Sequence, residues 1–180
     1  MALKDTLEDK LQNLKQDAER DKQSELDRPK LIAEWQQAVN WLFARVREWL
    51  TAYEQNGLLS FSEQEIPITE EATGPYRIRM MELHAGKATI VLRPVGRFII
   101  GATGRVDMHV LGRMIETERV MFLRTTRFGA TEEEWGILIP ERAGSLGRGR
   151  RVGNLPNWSR RNLQRLTQEN LKEAVERLLG

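Results

Sequence analysis

Short connections between successive apolar runs constrain the fold of this chain more than any other feature. From about residue 66 the apolar residues follow a period of two, which predicts strands at 76–83, 87–93, 97–101, 104–115, 118–127 and 134–139. The segments between them, such as HAGK, GATG and IETE, are too short to hold a crossover helix. Neighbouring strands must therefore be antiparallel, and the sequence predicts a meander of about six strands.

Alternation within these strands predicts two faces of different character. One face is apolar and contains Ile78 and Met80, Ile90 and Leu92, Phe98 and Ile100, and Val106, Met108 and Val110. The other face is rich in arginine and contains Arg77, Arg79, Thr89, Arg93, Arg97, Arg105, Asp107 and His109. We expect a helix to cover the apolar face and the arginine-rich face to be exposed.

A helical period precedes the strands. Residues 29–55 predict an amphipathic helix, with an apolar stripe of Trp35, Ala38, Val39, Leu42, Val46, Trp49, Leu50 and Tyr53. Trp41 lies off this stripe, and we expect it to pack within the protein because large aromatic side chains are usually buried; exposure in an interface is the alternative. Residues 3–26 predict a separate helix, because Pro29 disfavours helical geometry in the residue before it and suits the first turn of a new helix.

The last predicted element is a helix that begins near Ser159 or Thr167 and ends at Leu179. Together the elements predict an α+β fold, in which long N-terminal helices and a C-terminal helix pack on the meander. Residues 1–28 are expected to form a helical arm and residues 29–180 one α+β domain, with a glycine- and arginine-rich loop at 141–158.

The arm carries a narrow apolar seam. Leu7, Leu11, Leu14 and Ala18 recur at alternating spacings of four and three, which is the rhythm of a coiled coil, but the seam covers only two heptads before Asp21 and Glu25. We interpret Leu7, Leu11 and Leu14 as a seam for self-association. Docking of the arm on its own subunit is the alternative.

Charge is distributed unevenly along the chain. The segment from Arg142 to Arg165 holds seven arginines and no acidic residue, although the whole chain has a net charge of only +2. Arginine binds phosphates and carboxylates with a planar fork of donors, and tryptophan can stack on a nucleobase. We therefore predict a partner- or phosphate-binding surface at Arg148, Arg150, Arg151, Trp158, Arg160 and Arg161. The alternative is a solvated loop that binds no partner, with Trp158 anchoring the last helix on the core.

Candidates for catalysis are few. The chain has no cysteine and only two histidines, and neither GATG nor GSLGRGR stands in the context of a nucleotide-binding motif. Asp107 and His109 share one face of a predicted strand and could begin a metal or acid-base site, but no third ligand can be named. We expect no enzyme activity, no metal and no cofactor.

The function that the sequence favours is a small non-catalytic interaction module, an oligomer that binds a partner through the arginine-rich loop and the exposed sheet face. The partner is expected to be an acidic protein surface or a second copy of the chain; nucleic-acid binding by the tract 147–165 is the alternative. With no apolar run of 18 residues and no signal peptide at the charged N-terminus, we expect a cytoplasmic protein without membrane contact.

Overall fold

The computed structural model describes residues 7–97, 102–113, 119–126, 132–140 and 162–180. Its elements, in chain order, are α1 (Leu7–Gln55), β1 (Ser60–Glu70), β2 (Gly74–Ala85), β3 (Ala88–Gly96), β4 (Gly104–Val110), β5 (Val120–Thr125), β6 (Glu134–Leu138), β7 (Gln164–Arg165) and α2 (Gln168–Leu179). The described strands form one seven-stranded sheet in sequential order, and every neighbouring pair is antiparallel. The α+β class and the antiparallel meander are confirmed, with one strand more than expected.

Two strands that the sequence did not predict lie at the edges of the sheet. β1 pairs with β2 along its 11 residues, although most of its side chains are exposed or only half-buried. β7 has two residues and pairs with Gly136 and Ile137 of β6. An edge strand has a neighbour on one side only, so it can form with few buried side chains and a weak alternation. The strand predicted at 97–101 lies outside the described residues apart from Arg97.

α1 runs without interruption through Pro29, so the predicted break between two helices is wrong. Proline removes one backbone hydrogen bond, here the one that the carbonyl of Glu25 would accept. Both residues are exposed, so water can solvate that carbonyl. The cost of the proline is therefore smaller than it would be in a buried helix.

The core forms between the sheet and residues 35–50 of α1. Trp35, Val39, Leu42 and Val46 are fully buried, as the apolar stripe predicts. The core also contains six side chains that the sequence assigned to the apolar face: Ile78, Ile90, Leu92, Val106, Met108 and Val110. Met80 is buried outside this core cluster, and Phe98 and Ile100 lie outside the described residues. α2 adds Leu171, Ala174 and Leu178. Thr167 caps α2: its hydroxyl accepts from the backbone of Asn170, whose side chain accepts in return from the backbone of Thr167.

Strict alternation fails in β2. Ile78 and Leu83 both belong to the main core although they are five residues apart, and the adjacent residues Met80 and Met81 are both buried. β2 is 12 residues long and pairs with β1 along its length. Long paired strands twist strongly, so the side that faces the helix changes along the hairpin.

The second face of the sheet is only partly the exposed arginine surface expected. On that face, Asp107 of β4 lies opposite Met121 of β5, which lies opposite Leu138 of β6, and all three are buried. Val91 of β3, opposite His109, is buried as well. Polar and buried apolar side chains are thus mixed on this face.

Arg97 also departs from the expected arginine face. Its guanidinium donates to the carbonyl of Leu31, 2.8 Å away, and to the Glu34 carboxylate, 3.0 Å away, both on α1. Its backbone N–H donates to Glu70 of β1 over 2.6 Å, and Glu70 also accepts from the hydroxyl of Tyr76. Arg97 therefore ties the end of β3 to α1 and to the β1–β2 hairpin.

Candidate functional site

The arginine and tryptophan residues of the predicted partner surface lie outside the described residues: Arg148, Arg150, Arg151, Trp158, Arg160 and Arg161. The end of the basic tract is described. Arg165 lies on β7, and its guanidinium is 3.1 Å from the carboxylate of Glu134 on β6. This arginine is therefore neutralised within the fold.

The predicted seam lies on a part of α1 that leaves the body of the protein. All described side chains from Leu7 to Lys30 are exposed, and at 1.5 Å per residue this stretch is about 36 Å long. Leu7, Leu11 and Leu14 are 73%, 57% and 65% exposed. The three leucines lie on one side of this part of α1, and no side chain of the described body packs on them. We call residues 7–30 the free helix.

Leu26 is a fourth exposed leucine on the free helix, 74% exposed. At 100° per residue it lies about 90° around the axis from the line through Leu7, Leu11 and Leu14. It therefore shares the chemistry and exposure of the seam residues without sharing their position.

Asp107 and His109 lie on the same face of β4, as their spacing predicts, but Asp107 does not bind His109. Its carboxylate accepts two hydrogen bonds from Arg105, at 2.7 and 3.0 Å, and one from Arg119 at 3.0 Å. Arg93 lies opposite Asp107 on β3 and is exposed. We call these four residues and His109 the Asp107 cluster.

Burial and the arginine charges of the Asp107 cluster lower the pKa of His109 and so favour its neutral form. Burial lowers the pKa of His109, and the charges of Arg119 and Arg93 lower it further, whereas the charge of Asp107 acts in the opposite direction. With three arginines around one carboxylate, the cluster carries an excess of positive charge. Its chemistry suits the binding of an anionic group better than the binding of a cation, and no group of three potential metal ligands occurs in the part of the chain that the structure describes.

Other strand arginines are paired with carboxylates. Arg77 lies 3.2 Å from Glu65, and Arg79 lies 3.5 Å from Glu63, across the β1–β2 pair. Arg124 lies 2.8 Å from Glu133. The described arginines therefore form a mixed surface of both signs, which is less positive than the strand sequences alone suggest.

A polar cluster around His84 was not predicted. His84 Nε2 lies 2.8 Å from the hydroxyl of Ser62 on β1, and His84 Nδ1 lies 3.2 Å from the hydroxyl of Thr89 on β3. Glu82 is 3.6 Å from Nε2. The cluster could not be found in the sequence because β1, which carries Ser62, has no clear strand pattern. Since Nδ1 contacts a neutral hydroxyl and Ser62 is exposed, the geometry lacks the carboxylate orienter of a serine nucleophile site.

Trp41 is half-exposed, contrary to the expectation that it packs within the protein. It lies on the side of α1 away from the sheet, and the guanidinium of Arg45, one turn later, stacks over its ring at 5.1 Å. The arginine covers part of the ring and makes partial exposure less costly.

No protein-family model, curated protein or solved structure matches the chain. Among the described residues, no helix is both long and apolar enough to cross a membrane. What the protein does must therefore be inferred from its own surfaces.

Proposed function

We propose that this protein is a non-catalytic interaction module that self-associates through its free helix and binds an acidic partner through arginine-bearing surfaces. The observation that carries the proposal is the exposure of all described side chains from Leu7 to Lys30. Helices in proteins gain most of their stability from packing one face, and this stretch packs on nothing in the described body. A helix with three leucines in register on one side is suited to pack on another helix.

The expected energetics indicate a reversible assembly. Fully burying a leucine contributes about 1.5–3 kcal/mol, and a dimer would bury six. Association costs about 4–15 kcal/mol in lost freedom of motion. The two contributions are of similar size, so we expect a dimer whose population depends on protein concentration.

The partner-binding part of the proposal is supported by charge. The Asp107 cluster has more arginines than carboxylates, and the segment from Arg142 to Arg161 holds six arginines without an acidic residue. Arginine forks bind carboxylates bidentately, so an acidic protein surface fits both regions. Residues 31–75 of the chain itself, with seven glutamates and two arginines, also offer acidic groups.

Self-association is tested by the mass of the full chain in sedimentation equilibrium over a range of concentrations. We expect the native chain to exceed the 20.8 kDa of one copy at high concentration. The double variant Leu11→Gln, Leu14→Gln should remain a monomer, because it removes the centre of the seam. Leu26→Gln is the matched control and should behave as the native chain. A native chain that stays monomeric at every concentration would refute self-association.

Nucleic-acid binding is the second candidate, and it is favoured by the combination of arginines with Trp158 in the basic tract. Fluorescence anisotropy with a labelled oligonucleotide and with a labelled polyglutamate peptide, across a salt series, distinguishes the partners. Both probes are also measured with a variant in which five arginines are replaced by glutamine: Arg148, Arg150, Arg151, Arg160 and Arg161. Peptide binding that the variant loses supports the acidic partner. Oligonucleotide binding with a salt slope that becomes shallower in the variant supports the second candidate instead.

A further inference from the structure

We infer that two copies of the free helix pair antiparallel, with Leu7 of one copy against Ala18 of the other and Leu11 against Leu14. This inference rests on the proposed self-association and specifies its geometry. The seam residues occupy the a and d positions of two heptads: Leu11 and Ala18 at a, Leu7 and Leu14 at d. An antiparallel pair brings each a position opposite a d position, so all four layers are filled by seam residues.

The charges beside the seam favour this orientation. Lys10 and Asp17 both occupy g positions, and in an antiparallel pair the g positions of the two helices lie next to each other. Lys10 of each copy then meets Asp17 of the other, which gives two opposite-charge contacts by symmetry.

The parallel arrangement is worse in two respects. It brings g positions next to e positions, so that Lys10 meets Lys15 of the other copy, and this repulsion offsets the attraction between Asp17 and Lys22. It also continues the seam through Asp21 and Glu25, each against its own copy. In the antiparallel register these two acidic residues lie beyond the four paired layers.

The length of the free helix allows the antiparallel pair to form without collision of the two bodies. The pairing axis lies between residues 12 and 13, and the first partly buried residue of α1 is Leu31. At 1.5 Å per residue the two bodies begin about 55 Å apart, at opposite ends of the paired helices. The dimer would present two partner-binding surfaces, which raises the affinity for a partner that carries two acidic sites at a matching distance.

Disulfide cross-linking of the full chain tests the orientation directly, because the native sequence has no cysteine. In the antiparallel pair, residues 7 and 18 of different copies are adjacent, whereas the two copies of residue 7 are about 16 Å apart along the axis, too far for a disulfide. Mild oxidation of a mixture of the Leu7→Cys and Ala18→Cys chains should therefore give a cross-linked heterodimer. Each variant alone should give no more product than Gln16→Cys, which lies away from the seam and measures random collisions.

A charge reversal gives an independent readout with opposite signs for the two orientations. Lys10→Glu places two glutamate–aspartate repulsions in the antiparallel pair, and we expect dimerisation to weaken about tenfold at low salt. The double variant Lys10→Glu, Asp17→Lys should restore it. In a parallel pair, Lys10→Glu would place a carboxylate next to Lys15 of the other copy, and this attraction would strengthen dimerisation.

The outcomes separate the inference from the proposed function. Heterodimer cross-links together with weakening by Lys10→Glu support the antiparallel pair. Cross-linking of Leu7→Cys with itself, or strengthening by Lys10→Glu, overturns the orientation and leaves self-association intact. A dimer by mass with no cross-link above the Gln16→Cys background overturns the seam as the interface, and a monomer by mass overturns both proposals.

Discussion

Gly104 at the start of β4 is the position where one added methyl group should have a large and attributable effect. A Cβ built on Gly104 would lie 2.3 Å from Cζ3 of Trp35, 2.9 Å from Cη2 and 3.1 Å from Cε3. Ordinary carbon contacts begin near 3.4 Å, so the ring would have to move by roughly 1 Å. Trp35 is fully buried, and its ring centroid lies 6.1 Å from that of Trp135, so little free space surrounds it.

The magnitude follows from two opposing effects. Overpacking a close-packed core costs about 1–3 kcal/mol. Replacing glycine by alanine restricts the unfolded chain and returns about 0.4–1 kcal/mol, since the backbone of Gly104 is not in the left-handed region. We therefore expect Gly104→Ala to lower the free energy of unfolding by about 1–2 kcal/mol.

Urea denaturation followed by circular dichroism, at one protein concentration, measures this change in a double-mutant cycle. Phenylalanine lacks the distal atoms of the indole, so in a Trp35→Phe background the Gly104→Ala change should be neutral or stabilising by up to about 1 kcal/mol. An equal cost of Gly104→Ala in both backgrounds would refute the steric explanation, as would a variant with native stability.

Two further substitutions test the polar contacts. Tyr76→Phe removes the hydroxyl that donates to Glu70. Because the acceptor is charged, we expect the free energy of unfolding in urea denaturation to fall by about 1.5–3 kcal/mol. A decrease below about 0.5 kcal/mol would show that this contact is not formed in solution. Burial and the neighbouring arginines lower the pKa of His109, so the unfolded chain takes up a proton at a higher pH than the folded chain, and stability is lost as the pH falls below the ordinary value of 6.5. His109→Gln should therefore show a smaller decrease in melting temperature than the native chain between about pH 7.5 and about pH 5.5, and an equal decrease would contradict this assignment.

Much of the fold is determined by local patterns that the sequence displays directly. The period of two after residue 66, with short connections, fixes an antiparallel meander in sequential order, and the stripe from Trp35 to Leu50 fixes the side of α1 that packs on it. Thr167 is visible as a helix cap. These features are predictable because each depends on residues that are close in sequence.

The candidate surfaces were predictable only in part. The common side of Leu7, Leu11 and Leu14 follows from their spacing, but their exposure does not, because docking of the arm on its own subunit was an open alternative. The shared face of Asp107 and His109 follows from alternation. The partners of Asp107 do not: Arg119 lies just before β5, and its contact with Asp107 depends on the register between β4 and β5. The contact between Ser62 and His84 depends likewise on the pairing of β1 with β2.

Tertiary structure decided the remaining features because they depend on packing and solvent rather than on local pattern. Pro29 stands inside α1 because the carbonyl it leaves unpaired is on an exposed stretch of helix. Arg97 binds α1, more than 60 residues earlier in the chain, because the sheet carries it there. Local sequence determines which backbone conformations are low in energy, whereas the burial of apolar surface and the pairing of charges across the fold select among them.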